Sequence, residues 1–354
     1  MRRAYRPKHQ TLIWRRFKLN PAYNPLHMLI AGTEDGAYQV TGVRDGRDSE
    51  VQKILETPRV ERVRQFNGLD GVFAATAVGL YYSANGSDWA DLDVPEDPVW
   101  AVTVSPPGDH LFAGTVPANV YVSSLPGDGV SPGTLEWREL EDFHELPSRD
   151  EWGVPRHNNM ARVRDLCIHP ESPNRLVAGV EPGGVHVSAD GGETWEERNE
   201  GVHDDIHSLH VVANGEYIAA TGRGLYRTVN AGRSWTRLDE NVEQRYFRTV
   251  YHYDGALYAS AACVPPSNYW ETAAADPALF KCTDNTSLES VDSPCPDEVV
   301  VGWTTTDETL IGTTHRGTIL ETQGDTWEIV GELPSSETIP GCYYNLTWVN
   351  SDDV

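Results

Sequence analysis

A short sequence phrase recurs along this chain at a spacing of about forty residues, which is the mark of a repeat array. The full phrase has a small-apolar strand, a turn centred on glycine, a strand bearing an aromatic residue, and a turn that ends in tryptophan, and the weaker copies keep only part of it. The clearest copy spans residues 176–195, and its neighbour spans residues 217–235. Four short strands per unit with glycine turns indicate the blades of a β-propeller rather than a helical solenoid.

The turn residue before the third strand marks seven copies of the phrase. These residues are Gly36, Gly79, Asn119, Gly184, Gly224, Ala278 and Gly317. One more β-rich run precedes every copy except the first, and a run of the same character, residues 343–348, follows the last copy. The sequence therefore predicts an all-β, seven-bladed propeller whose first blade is completed by the C-terminal strand. Such closure leaves no unpaired sheet edge between the first and last blades.

The phase of the repeat runs unbroken from about Leu29 to Trp348, so we expect one ring domain over residues 28–354. Residues 1–27 are basic and contain no acidic residue. No apolar run follows either Arg-Arg pair, which disfavours a twin-arginine export signal. An arm that binds nucleic acid stays open. We favour a poorly ordered extension, or translated upstream sequence, and we find no transmembrane stretch.

The chain is strongly acidic, with a formal net charge of −25 at pH 7, and only four of its 28 basic residues are lysines. This composition resembles that of proteins from salt-loving archaea, in which salt screens the repulsion between hydrated carboxylates. An ordinary acidic protein is the alternative. The charge also disfavours binding to a nucleic-acid backbone. We expect a cytoplasmic protein, halophilic and monomeric.

The sequence offers no metal, cofactor or nucleophile motif. Its five cysteines are scattered and form no Cys-x-x-Cys pair, which argues against a zinc site and a disulfide framework. We also find no phosphate-cradling loop and no serine nucleophile elbow. We therefore predict no cofactor and no bound metal, and we assign no catalytic residue.

One turn carries a complete Ser-x-Asp-x-Gly-x-Thr-Trp motif, formed by Ser188, Asp190, Gly192, Thr194 and Trp195. A short acidic side chain in such a turn bonds its own loop backbone, and the tryptophan packs between blades. The repeats resemble those of the BNR/Asp-box β-propellers over residues 28–349. That superfamily includes sialidases, the sortilin-type propeller, xyloglucanases and photosystem II assembly-factor-like proteins. The resemblance implies the fold more specifically than it implies a chemistry.

Propeller geometry places the fourth-to-first and second-to-third connections on one face and the Asp-box turns on the opposite face. Function is expected at the first face, where loops from different blades converge around the channel mouth. The candidate ligand-binding residues there occupy two kinds of position. Arg64, Arg164 and Arg248 lie at the second position of the innermost strands of blades two, four and six, and His207 lies at that position in blade five. Arg223 and Arg316 lie in second-to-third turns. Convergent guanidinium groups bind carboxylates or phosphates, although ordinary ion pairs with nearby acids would use the same side chains.

The longest insertion lies between Trp137 and Val163 and is predicted on the same face. Its candidate ligand-binding residues are Trp152, Arg156, His157, Asn158, Asn159 and Arg162. A tryptophan platform with amide and guanidinium donors suits a sugar or another polar planar ligand. Alternatively, the insertion plugs the channel. A metal site there is disfavoured, because His157 has no ligating partner at a readable spacing.

These features favour a non-catalytic scaffold for binding or assembly, whose arginine-bearing mouth takes a protein partner or a small anionic or sugar ligand. The alternative is a sialidase-like glycosidase. The arginines with Tyr246 or Tyr344 imitate the arginine cluster and tyrosine nucleophile that the resemblance implies for a sialidase. The Arg-Ile-Pro motif of sialidases is absent, however, and we find no acid to pair with either tyrosine.

Overall fold

The computed structural model describes residues 27–43, 49–127, 129–155, 158–266, 270–306, 308–324, 326–334 and 345–350. These residues form seven four-stranded antiparallel sheets. The predicted all-β class and seven blades are therefore confirmed. Residues 1–26, and with them the predicted basic extension, lie outside the described residues.

The strands follow one another around the ring, four to a blade. The first blade contains β1 (His27–Thr33), β2 (Gly36–Thr41) and β3 (Glu50–Glu56). The second contains β4 (Val60–Phe66), β5 (Leu69–Thr76), β6 (Gly79–Ser83) and β7 (Ala90–Asp91). The third contains β8 (Val99–Val104), β9 (His110–Thr115), β10 (Val120–Ser124) and β11 (Arg138–Glu139). The fourth contains β12 (Arg162–Ile168), β13 (Leu176–Glu181), β14 (Gly184–Ser188) and β15 (Glu196–Glu197).

The remaining blades have the same order. The fifth contains β16 (Ile206–Ala213), β17 (Glu216–Thr221), β18 (Gly224–Thr228) and β19 (Thr236–Arg237). The sixth contains β20 (Tyr246–Tyr253), β21 (Ala256–Ala262), β22 (Ala278–Cys282) and β23 (Glu289–Val291). The seventh contains β24 (Val300–Thr305), β25 (Leu310–Thr314), β26 (Thr318–Gln323) and β27 (Thr326–Glu332). The last strand, β28 (Asn345–Asn350), returns to the first blade, and two short 3-10 helices, Glu141–His144 and Arg149–Glu151, lie between β11 and β12.

The ring is closed by β28, which pairs antiparallel with β1 and becomes the innermost strand of the first blade. Leu346 lies opposite Ala31, and Trp348 lies opposite Leu29. Leu346 is buried in a cluster that also contains Ile311 of the seventh blade. Pairing and packing together join the two ends of the array, as the sequence predicts.

The innermost strands β28, β4, β8, β12, β16, β20 and β24 surround the central channel, and each contacts the next. In blades two to seven each innermost strand has a β-bulge at the same place, directly after a buried apolar residue. The bulged residues are Glu61, Trp100, Arg164, His207, Arg248 and Val301. A bulge re-aims its side chain, so these six residues form one layer at the channel mouth.

The turn with the complete motif is held by its own side chains. Asp190 accepts hydrogen bonds from the backbone N–H and the hydroxyl of Thr194, at 2.9 and 2.7 Å. Ser188 accepts one from the N–H of Gly192, and the indole N–H of Trp195 donates to the Gly192 carbonyl. Trp195 is buried between blades. The turn is therefore a structural element, at the end of the blade opposite the channel mouth.

Two further features bear on the predictions made from composition. Among the described residues, no helix has the length and apolar character needed to cross a membrane. The four described cysteines are all free thiols.

Candidate functional site

The central channel encloses a cavity of about 880 Å³, lined by residues of the innermost strands. Within the described part of the chain, its charged lining consists of Arg62, Arg64, Arg164, Arg248, Glu61 and Asp165. Four arginines and two carboxylates therefore line the cavity, whereas the whole chain carries a net charge of −25. We call this space the channel cavity.

Arg62 crosses the cavity wall from the second blade to the fourth. Its Nη1 lies 3.4 Å from Oδ1 of Asp165, and its Nη2 donates to the carbonyl of Arg164 at 2.8 Å. The residue at the equivalent position of the third blade is Ala101, whose small side chain leaves room for this reach. Burial lowers the pKa of Arg62 to about 10, although the Asp165 carboxylate opposes that shift. The guanidinium remains charged at neutral pH.

Arg64 lies three residues beyond the bulge of β4 and lines the channel cavity. Among the described residues it forms no ion pair and no hydrogen bond. The residues at the same level of blades four, five and six are Cys167, His210 and Tyr251. Burial raises the pKa of the Cys167 thiol and lowers that of His210 to about 4, so both are neutral at pH 7. Arg64 therefore brings a positive charge to a level of the cavity that is otherwise uncharged in these blades.

At the channel mouth, three arginines surround the ring of Trp100. The guanidinium carbons of Arg162, Arg164 and Arg59 lie 4.4, 4.7 and 5.4 Å from the ring centroid. Trp100 is 3% exposed. Attraction between guanidinium cations and the face of an indole ring strengthens when both are desolvated. Trp100 thus holds like charges from the second and fourth blades close together.

Glu181, Asp205 and His207 converge beside these arginines at the boundary between blades four and five. Glu181 ends β13, Asp205 immediately precedes β16, and His207 is the bulged residue of β16. One ligating atom from each residue lies within 4.8 Å of the other two. Nε2 of His207 lies 3.8 Å from Asp205 Oδ2, and Nε of Arg164 lies 3.6 Å from Glu181 Oε2. Such a group of carboxylates and imidazole can act as an ion pair network or as a set of metal ligands.

The charges at the mouth set the protonation states of this group. Burial acts to raise the pKa of Glu181, but Arg164 and neighbouring positive groups outweigh it and lower that pKa to about 2. Burial lowers the pKa of His207, an effect that the nearby carboxylates only partly oppose. Glu181 is therefore a carboxylate at neutral pH.

Tyr246 is packed against His207, with ring centroids 4.5 Å apart. Burial raises its pKa, and the carboxylates of Glu181 and Asp205 add to the rise while Arg248 opposes it. Arg248 also acts on Glu34 of the first blade, so its charge is felt on both sides of the mouth. No acid could be paired with Tyr246 from the sequence, whereas the structure places two acids in its neighbourhood.

Glu34 and Glu61 form a second acidic pair on the side of the mouth nearest the first blade. Burial raises the pKa of Glu34 to about 7, with Arg59 opposing and Glu61 adding to the shift. Burial also raises the pKa of Glu61, although Arg59 pairs with its carboxylate. Neutralisation of Glu34 would make the mouth more positive.

The insertion between Trp137 and Val163 packs on the outer part of blades three and four. Trp152 lies against His186 of the third strand β14, with ring centroids 4.7 Å apart. The guanidinium carbon of Arg149 lies over the Trp152 ring, 4.7 Å from its centroid. Arg149 also donates to Asn119 in the turn of the third blade. Trp152 therefore lies away from the innermost strands, and the described part of the insertion reaches the mouth through Arg162.

The other predicted residues are more scattered. Asn158 and Asn159 occupy a turn with positive φ angles of 56° and 58°. Arg223 lies in the second-to-third turn of blade five, and Arg316, in the corresponding turn of blade seven, donates to Glu271 at 3.0 Å. Arg156, His157 and Tyr344 lie outside the described residues. The structure thus brings Arg162, Arg164, His207 and Arg248 to the mouth, and places Arg64 deeper in the channel.

Several residues of the site were not singled out from the sequence as ligand-binding. Arg59, Arg62 and Trp100 belong to no repeated motif in the sequence. Glu181 and Asp205 are among the nearby acids from which only ordinary ion pairs with the arginines were expected. A signal for the mouth layer does exist. In each of blades two to seven the layer residue follows a fully buried Val, Ile or Phe at the start of the inner strand. An alignment on that apolar residue would have placed Glu61, rather than Arg64, beside Arg164 and Arg248.

Comparison with known proteins bears on the fold. No protein-family model and no curated protein matches the chain. The chain is similar to the crystal structure of an ancestral GH74 enzyme, with a TM-score of 0.57 and 16% identity over 78% of this chain and 39% of that one. It is also similar to the GH74 xyloglucanase from Xanthomonas campestris, with a TM-score of 0.52 and 18% identity over 76% of this chain and 45% of that one.

A third similar structure is the computationally designed Ika8 protein, with a TM-score of 0.52 and 13% identity over 89% of this chain and 87% of that one. The chain spans less than half the length of either GH74 structure. At these identities the likeness shows the propeller fold alone.

Proposed function

We propose that this protein is a non-catalytic binding propeller whose channel cavity takes a small anionic ligand. The observation that carries the proposal is the lining of that cavity, with four arginines against two carboxylates, in a chain of net charge −25. A concave, low-dielectric site of one sign focuses the field and concentrates ligands of the opposite sign. Its volume of about 880 Å³ lies within the range of small-molecule sites, roughly 300 to 1,000 Å³.

Arg64 is the side chain best suited to bind the ligand directly. Its guanidinium has no partner among the described residues, so an incoming carboxylate or phosphate replaces water rather than an internal ion pair. A guanidinium binds either group through two parallel hydrogen bonds. The neighbouring positions of the cavity supply hydroxyl groups, including Thr103, Thr249 and Thr304. This lining suits a hydroxylated anion such as a sugar acid or a phosphorylated sugar.

The arginines around Trp100 form the entrance to this site. Arg164 and Arg248 belong both to the mouth layer and to the cavity lining, so positive charge is continuous from the surface inward. Arg164 donates to the His207 carbonyl at 3.1 Å, which fixes its position between blades. Fixed arginines at an entrance accelerate the approach of an anion, and that effect weakens with rising ionic strength.

A ligand screen by thermal shift and calorimetry tests the proposal. The panel contains inorganic phosphate, glucuronate, N-acetylneuraminate and glucose 6-phosphate, with neutral xylo-oligosaccharides for comparison. We expect at least one anion to bind with 1:1 stoichiometry, and we expect Arg64→Gln to weaken its binding by at least about tenfold, in keeping with the loss of a charge-assisted hydrogen-bond pair. The assays use the lowest KCl concentration that keeps the chain folded.

Arg233→Gln is the matched control, because Arg233 lies in an exposed turn of blade five, on the face of the ring opposite the channel mouth. Arg233→Gln changes the net charge by the same amount as Arg64→Gln but leaves the channel cavity intact. Equal weakening by both variants would mean that only the overall charge matters. Absence of binding by every anion would overturn the small-ligand proposal and favour a protein partner.

A sialidase-like hydrolase is the second candidate, because Tyr246 lies in the neighbourhood of Glu181, Asp205 and two arginines. Two observations weigh against it. The pKa of Tyr246 is raised, and that of Glu181 is lowered to about 2, whereas a glycosidase needs one acid that stays protonated. A fluorogenic sialoside and a panel of aryl glycosides test this candidate. Turnover that disappears in Tyr246→Phe would support the hydrolase and overturn the non-catalytic assignment.

A further inference from the structure

One level of the channel cavity brings together side chains from six blades. In blades two to seven, the third residue after each bulge of the mouth layer pairs with the equivalent position of the second strand. Equivalent positions of the blades lie at the same depth, so these six side chains surround one cross-section of the channel. All of them line the cavity, and we call them the inner ring: Arg64, Thr103, Cys167, His210, Tyr251 and Thr304.

Two members of the inner ring are already used within the fold. The thiol of Cys167 donates to the Leu209 carbonyl at 3.4 Å, and Oγ1 of Thr304 accepts from the N–H of Trp348 at 2.9 Å. The side chains of the other four make no hydrogen bond within the described chain, and their polar atoms are open to the cavity. These four residues are Arg64, Thr103, His210 and Tyr251. The inner ring therefore offers donors and acceptors to a ligand.

Three of these four side chains are neutral and match the hydrogen bonding of hydroxyl groups. The hydroxyls of Thr103 and Tyr251 each donate and accept. Burial lowers the pKa of His210 to about 4, so its imidazole is neutral at pH 7 and has one donor nitrogen and one acceptor nitrogen. A ligand hydroxyl also donates and accepts, whereas the oxygens of an ionised carboxylate only accept. Several hydroxyl groups, rather than several charges, satisfy this part of the ring.

Arg64 is the one member of the inner ring that is charged at pH 7. Beyond its level, toward the face opposite the mouth, the described lining of the cavity contains no charged residue. A ligand held at this level therefore meets one positive charge among neutral polar groups.

The other arginines of the cavity lining lie nearer the mouth and have carboxylates close by. Nη1 of Arg62 lies 3.4 Å from Asp165, and Nε of Arg164 lies 3.6 Å from Glu181. The charge of Arg248 also acts on Glu181. A second negative charge on a ligand at Arg64 would lack a cation of its own, and an uncompensated charge removed from water is costly.

We propose that the channel cavity binds a polyhydroxylated monocarboxylate, a sugar acid such as an aldonate or a uronate, in preference to a phosphorylated sugar. The carboxylate pairs with Arg64 through two parallel hydrogen bonds, and the hydroxyl groups bond to Thr103, His210 and Tyr251. A phosphate monoester carries a charge of about −1.5 to −2 at pH 7, which is more than the one cation of the ring balances. The inference rests on the proposed function, because it names the class of anion that the cavity takes.

Calorimetry with two matched ligand series tests the inference. The first series compares glucuronate with glucose 6-phosphate and glucose. The second compares gluconate with hexanoate, which lacks the hydroxyl groups, and with glucitol, which lacks the carboxylate. We expect a sugar acid to bind at least about tenfold more tightly than the other members of its series, because each of them loses either the charge match or several hydrogen bonds.

Variants that remove one hydroxyl from the inner ring provide a second test. Tyr251→Phe and Thr103→Val should each weaken binding of the sugar acid by about three- to tenfold, the usual contribution of a neutral hydrogen bond, and should leave hexanoate affinity unchanged. Tyr81→Phe is the control, because Tyr81 is partly buried in β6 but lies outside the lining of the cavity. Unchanged affinity for the sugar acid in both ring variants, or an equal loss for hexanoate, would overturn the inference.

Failure of the inference and failure of the proposed function give different results. If an anion binds in the channel but glucose 6-phosphate or hexanoate binds as tightly as the sugar acids, the inference is overturned and the proposed function stands. If no anion binds at all, the proposed function is overturned and the inference with it.

Discussion

Arg62 of the second blade pairs with Asp165 of the fourth, with Nη1 3.4 Å from Oδ1, across the small side chain of Ala101 in the blade between them. The pair ties together two blades that are not neighbours in the ring. Asp165 is also one of only two carboxylates that line the channel cavity among the described residues. The relationship therefore connects the stability of the ring to the charge of the cavity.

Asp165→Asn should destabilise the chain in the absence of anions. The change leaves the buried Arg62 charge without its carboxylate, and breaking one side of a buried pair costs about 3–5 kcal/mol. Asparagine keeps an oxygen to accept the hydrogen bond from the Leu209 N–H. Denaturant unfolding measures the loss, and we expect phosphate to restore more stability to this variant than to the wild type.

The control for this prediction is Asp204→Asn, whose side chain is 69% exposed near the same face. The free energy of unfolding of the Asp204→Asn variant should differ from that of the wild type by less than about 0.5 kcal/mol, as it does for most surface substitutions. Similar small effects of both variants would show that the Arg62–Asp165 pair contributes little.

Glu34 should make the stability of the fold depend on pH. Its pKa is raised from 4.5 to about 7, so between these values the folded state holds a proton that the unfolded state has lost. Stability from this group is therefore fully present below pH 4.5 and is lost as the pH rises through about 7. In Glu34→Gln the fall over this window should be smaller than in the wild type. Thermal unfolding at a series of pH values provides the measurement, and identical profiles would contradict the prediction.

Leu346→Ala should weaken closure of the ring. Leu346 is 1% exposed in β28 and packs in a cluster with residues of the first and seventh blades. Removal of a buried leucine side chain costs about 2–5 kcal/mol because it leaves a cavity. Ile329→Ala is the matched control, since Ile329 is 52% exposed on the outer strand of the seventh blade. If the two variants unfolded at the same denaturant concentration, the pairing of β28 would not be important for stability.

Salt should stabilise this protein over an unusually wide concentration range. A net charge of −25 repels itself in the compact state, and the Debye length falls from about 10 Å at 0.1 M salt to about 3 Å at 1 M. We expect the melting temperature to rise between about 0.1 and about 2 M KCl, a range over which the Debye length falls by about threefold or more. A melting temperature that is constant or that falls over this range would argue against the halophilic interpretation.

The ring architecture could be predicted from the sequence because it depends on local patterns. Small apolar strands and glycine turns repeat with the blade, and the strand missing from the first copy reappears at the C-terminal end. The pairing of β28 with β1 follows from those two facts. The Asp190 turn could also be predicted, since its hydrogen bonds join residues within one loop.

The candidate site was harder to predict, because it depends on register and on contacts between distant residues. Counting along the innermost strands aligned Arg64 with Arg164, but the bulge in β4 places Glu61 at that level. Trp100 gathers arginines from both neighbouring blades, and Arg62 acts across a whole blade. No spacing within a single repeat encodes such contacts.

The central claim is that the channel cavity binds an anion at Arg64, and an anomalous diffraction map from a crystal grown with selenate tests it most directly. The account predicts a selenium peak inside the channel beside the Arg64 guanidinium, and no such peak in Arg64→Gln. Selenium only at exposed arginines such as Arg233, or a peak in the channel that Arg64→Gln leaves unchanged, would contradict the account.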